Sequence, residues 1–89
     1  MEDWTKQLAR FCADLDYRTL PQEVVEKTKW ILLDSLGNIF GAATLEFGKT
    51  MAEYAQSLGD REEATVLGFG FKSSARHAAF VNGSLAETI

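Results

Sequence analysis

His77 is the one histidine in the 89-residue chain, and its imidazole is the side chain best suited to chemistry. An imidazole titrates near neutral pH and can pass a proton in either direction. It lies just after Ser73 and Ser74, in what reads as the first turn of a helix. No cysteine or second histidine stands near it in sequence, so a metal site built from this chain alone is not expected. A lone histidine without a partner motif is weak evidence for catalysis. The expectation is a surface or hydrogen-bonded histidine.

Gly68-Phe69-Gly70 has part of the form of a glycine-rich phosphate loop. The third glycine of a dinucleotide fingerprint is missing, and Lys72-Ser73 lacks the Walker spacing, so nucleotide binding is not expected. Asp34 and Asn38, one turn apart, could form a buried polar pair. Asp34 as a solvated charge near Lys27 or Lys29 is the simpler reading. Cys12 follows Phe11 on an apolar face and reads as a small buried hydrophobe. As the one cysteine it excludes an internal disulfide and fits a reducing compartment, with the cytoplasm as default. Trp4 and Trp30 sit at helical spacing among apolar neighbours and read as core anchors.

Composition narrows the classes further. The chain is 46% hydrophobic and 25% charged, too apolar for disorder. Net charge is −4 and the lysines and arginines are scattered, against a nucleic-acid surface. The apolar runs fall short of the ~20 residues a bilayer span needs, and the acidic start Met1-Glu2-Asp3 is no signal peptide.

Four helices must position these residues. The first is expected from about Asp3 to Leu15, with Asp3 as N-cap and Trp4, Leu8, Phe11, Cys12 and Leu15 in one stripe. The second starts at Leu20-Pro21-Gln22-Glu23, where proline costs nothing in the first turn, and its pattern persists for about twenty residues. Its small residues Gly37 and Gly41, four apart, predict a close helix crossing. A third helix fits from about Phe47 to Leu58, stopped by Gly59. Asp60-Arg61-Glu62-Glu63 reads as a solvated turn. Ala64 to Phe71 breaks the helical period and predicts a short extended segment without an evident partner strand, or an irregular loop over the helices. Ser73 or Ser74 caps a fourth, small-residue-rich helix from about Ala75, expected to be buried and central, with Asn82-Gly83 at a strained or tightly packed position. That helix carries no stop signal, so the chain reads as the opening part of a longer protein. The fold class expected is all-α: one incomplete domain over residues 1–89, a bundle of about four helices with one short extended segment.

Four stretches carry a resemblance across nearly the whole chain. They are Leu8-Ala9-Arg10-Phe11 with Leu20-Pro21-Gln22-Glu23-Val24-Val25, then Ile31-Leu32-Leu33-Asp34-Ser35-Leu36-Gly37 continued by Gly41-Ala42. Glu63-Ala64-Thr65-Val66-Leu67-Gly68 and Ala78-Ala79-Phe80-Val81-Asn82-Gly83-Ser84-Leu85-Ala86 follow. In this order they resemble the N-terminus of the MmgE/PrpD family, which includes 2-methylcitrate dehydratase and cis-aconitate decarboxylase. The resemblance implies a large helical domain, a smaller α/β lid domain, and an active site between them. It implies cofactor-free chemistry on small di- or tricarboxylates. The family's acidic and histidine motif begins past Ile89, so no catalytic residue and no metal ligand is expected within the chain. Asn82, Gly83 and Glu87 are implied to lie at the pocket edge. Many relatives carry histidine where this chain has Glu87, which leaves subfamily and substrate open. The implied partners are a second copy of the chain and, in a full-length form only, a small carboxylate substrate. Two readings compete: the N-terminal piece of a lyase or isomerase, inactive alone, and a non-catalytic helical module that self-associates.

Overall fold

The computed structural model describes residues 3–88. Among them are four α-helices, one 3-10 turn and one β-hairpin. Their order is α1 (Trp4–Asp14), the turn Tyr17–Thr19, α2 (Gln22–Ala42), α3 (Glu46–Ser57), β1 (Ala64–Val66), β2 (Phe71–Ser73) and α4 (Ala75–Ala86). The expected helical class with one extended segment is what forms. The chain divides into two compact units, Met1–Trp30 and Ile31–Ile89.

In the first unit, α1 starts where its cap predicts. The Asp3 carboxylate accepts the Lys6 N–H at 3.0 Å, which satisfies a free donor and sets negative charge at the positive helix end. Asp16 repeats the device, accepting the Arg18 N–H at 2.9 Å and pairing with its guanidinium at 2.7 Å. The guanidinium bonds first, and the backbone N–H second, hold the Asp16 carboxyl below the usual range. None of the described residues in this unit is buried. Trp4 is 71% exposed, Trp30 68%, and Cys12 is exposed, which corrects their reading as core residues. An apolar stripe buries only against a second apolar surface, and residues 3–30 contain none that covers it.

The second unit holds the core. Ile39 and Ala42 from α2, Ala55 from α3, Val66 from β1 and Ala78, Val81 and Leu85 from α4 form one buried cluster. These side chains are mostly small, so the elements approach closely. Of the expected pair Gly37 and Gly41, Gly37 is exposed with open space around it, and a close approach lies elsewhere. It is at Gly48 in the first turn of α3, where a Cβ would overlap the Ala42 carbonyl. The chain reverses between α2 and α3 in three residues, and only a bare backbone fits beside the end of α2.

The extended segment does have a partner. β1 pairs antiparallel with β2, in the register Ala64 to Ser73, Thr65 to Lys72 and Val66 to Phe71. Gly68 and Gly70 turn the chain with φ of +88° and +74°, a region that glycine enters without strain. Gly59 ends α3 with φ of +58°, as its position predicts. α4 is not central. Ala78, Val81 and Leu85 are buried while Ala75, Ala79 and Phe80 are exposed, so it lies across the core with one face in solvent. Gly83 is on the exposed face with nothing near its Cβ direction, which corrects the reading of a tightly packed position.

Candidate functional site

α4 carries the residues singled out for function, and each is set by a local device. Ser74 caps the helix: its Oγ accepts the His77 N–H at 3.3 Å. Glu63 Oε1 takes a second free donor there, the Ala75 N–H, at 3.4 Å. Both satisfy groups that the first helical turn leaves unpaired. The cap brings the imidazole to the connection between α3 and β1, where His77 Nδ1 lies 2.5 Å from Asp60 Oδ2 and 3.0 Å from Ser74 Oγ. Side-chain exposures are 31% for His77 and 26% for Asp60, so the pair is partly screened from water.

The Asp60 carboxyl is held below the ordinary aspartate range. The Ser74 hydroxyl is the largest cause, followed by the Arg61 N–H, which bonds Oδ1 at 3.0 Å, and then His77. His77 is thus the hydrogen-bonded histidine expected. Its partner had read as part of a solvated turn, because nothing in the sequence links positions seventeen apart. Beside the pair lies a cavity of about 140 Å³, lined by Gln56, Asp60, Glu62, Lys72 and Ser73 among others.

Asn82 is half-buried and both ends of its amide are engaged. Oδ1 accepts the Leu67 N–H at 3.0 Å, and Nδ2 donates to the Thr65 carbonyl at 3.1 Å. Backbone groups at i and i+2 point to one edge of a strand. Asn82 therefore stands where a neighbouring strand would, and closes one edge of β1. Gly83 leaves bare backbone on the exposed face. Glu87, the C-cap residue, is exposed one turn further along. Gly83 and Glu87 share a side of the helix end, while Asn82 turns to the hairpin.

The remaining candidates separate. Asp34 is exposed, and Asn38 is half-buried with Nδ2 donating to the Ala86 carbonyl at 3.3 Å, so they form no buried pair. Gly68-Phe69-Gly70 is a hairpin turn. It does not present a row of amides at a helix start, as a phosphate loop does. Among the described residues no group of three or more histidine, cysteine, aspartate or glutamate side chains could hold a metal. Among them, too, no helix is long and apolar enough to cross a membrane.

These features define a helical domain in which a short hairpin is clamped to the last helix by an asparagine. Residues 6–89 match the model of the MmgE/PrpD N-terminal domain, and the chain belongs to that family. Comparison with curated proteins and with solved structures finds no match.

Proposed function

We propose that this chain supplies the N-terminal helical part of a lyase or isomerase that acts without a cofactor on small di- or tricarboxylates. The type of activity proposed is that of a 2-methylcitrate dehydratase. The match to the family's N-terminal domain over residues 6–89 is the observation that carries this reading. Elimination of water next to a carboxylate needs a base for the carbon-bound proton and an acid for the leaving hydroxyl. It also needs cationic or N–H donors for the enolate-like charge. On this reading those groups come from residues beyond position 89. Asn82, Gly83 and Glu87 contribute at the edge of the pocket, with Asn82 acting through the hairpin it holds. The compartment proposed is the cytoplasm.

Complementation tests this reading. The 89 residues alone are expected to leave small hydroxy-tricarboxylates unchanged, with no rise in the ultraviolet absorbance of a conjugated enoate. A longer chain that contains them and the acidic and histidine motif is expected to produce that rise. Turnover by the 89 residues alone, or none by the longer chain on any small di- or tricarboxylate, would refute the proposal.

A second reading has its own support. Trp4, Leu8 and Phe11 on α1 and Trp30, Leu33 and Phe40 on α2 are all more than half exposed. Apolar side chains in such number favour association with another surface, so a self-associating helical module is the alternative, with a second copy as partner. Light scattering distinguishes the two: a discrete oligomer that melts cooperatively supports the module, and an aggregating or molten monomer excludes it.

A further inference from the structure

The contact between Asp60 and His77 can be read to the level of the proton. An ionised carboxylate has acceptors and no donor. At 2.5 Å from Asp60 Oδ2, His77 Nδ1 must therefore carry the hydrogen. A neutral ring protonated on Nδ1 meets this requirement, and so does the imidazolium. A neutral ring protonated on Nε2 does not, because it would set a lone pair against the carboxylate. Ser74 completes the arrangement. Its Oγ accepts the His77 N–H at 3.3 Å and lies 3.0 Å from Nδ1, and its hydroxyl is the largest cause that holds the Asp60 carboxyl below its usual range. The carboxylate receives Nδ1–H on Oδ2 and the Arg61 N–H on Oδ1.

We infer that Asp60, Ser74 and His77 form an acid-released latch that holds the α3–β1 connection to the first turn of α4. Nδ1–H is the hydrogen that faces the Asp60 carboxylate. The latch opens when Asp60 takes a proton and loses the charge that draws Nδ1–H and the Arg61 N–H. Its carboxyl is held below the usual range, so the contact contributes fully above the ordinary aspartate value of about 3.9. The contribution is lost as pH falls through the lower folded value.

The other charges around the pair are few. Arg61 and Glu63 belong to the same connection, Glu62 and Lys72 line the cavity beside Asp60, and Arg76 follows on α4. Glu63 is the rival acid group, since it also bonds the start of α4.

Two measurements on the chain test the latch. Long-range ¹H–¹⁵N correlation of the imidazole, at a pH where the ring is neutral, reports the tautomer. Amide-exchange protection at His77, followed down in pH, reports the opening. The Leu67 amide, bonded to Asn82, marks global unfolding. The expected results are an Nδ1–H ring and His77 protection unchanged at pH values above the ordinary aspartate range. In acid, protection at His77 should fall before it falls at Leu67. Asp60→Asn keeps an acceptor for Nδ1–H and should abolish the acid step; Glu63→Gln should retain it. An Nε2–H tautomer, an opening above the ordinary aspartate range, or an acid step that survives in Asp60→Asn would overturn the inference. The tautomer measurement uses the unaltered chain and decides the question even if the variants fail to fold.

Discussion

Asn82 shows how one side chain can do the work of a strand. Its amide presents an oxygen acceptor and an NH2 donor in the spacing of a peptide group, and it meets the Leu67 N–H and the Thr65 carbonyl together. Asn82→Ala leaves both backbone groups without a protein partner, and should cost about 1–3 kcal/mol in urea unfolding. If the cost is under a few tenths, water replaces the amide and the clamp is not structural. Two glycines give an opposed pair of predictions. Gly48→Ala forces a methyl against the Ala42 carbonyl and should destabilise by about 1–3 kcal/mol. Gly37→Ala meets nothing, and should stabilise by about 0.5–1 kcal/mol through helix propensity alone. Equal effects at the two positions would contradict the geometry described.

Among the elements, the hairpin and α4 depend on each other. Val66 on β1 and Val81 and Leu85 on α4 belong to one buried cluster, and Asn82 joins the same two elements through hydrogen bonds. Leu85→Ala, at a fully buried position, should cost about 2–5 kcal/mol, a large part of the stability of so small a unit. The turn is the second control point. Gly68→Ala places a side chain in the left-handed region and brings its Cβ 3.0 Å from that of Ala43, so a cost of about 1–3 kcal/mol is expected. Amide exchange should show the loss at β1 and β2 first. Loss that begins in α3 instead would mean that the hairpin is not the element that yields.

For the whole molecule, the two units differ in what they bury. Residues 31–89 have a core, and the described residues of the first thirty have none. Both tryptophans lie in those first thirty residues and are largely exposed. At low concentration iodide is expected to quench both. If the chain associates through these faces, quenching should fall and emission shift to the blue as concentration rises, by mass action. Concentration-independent quenching would place the association, if any, elsewhere.

The chain's local features were legible without coordinates. Asp3, Pro21, Gly59 and Ser74 mark helix ends because a cap acts on amides within one turn of itself. The family was legible too, since it rests on four stretches kept in order. The tertiary structure decided everything that joins distant positions. It paired β2 with β1, although three residues that include Lys72 and Ser73 show no alternation. It left Gly37 in open space, set a close approach at Gly48, and left the stripe of α1 exposed. It brought Asp60 to His77 and turned Asn82 to the hairpin. Amphipathic spacing tells which face of a helix is apolar, and it does not tell what that face meets. Side chains seventeen residues apart come into hydrogen-bond range only after the elements between them have packed.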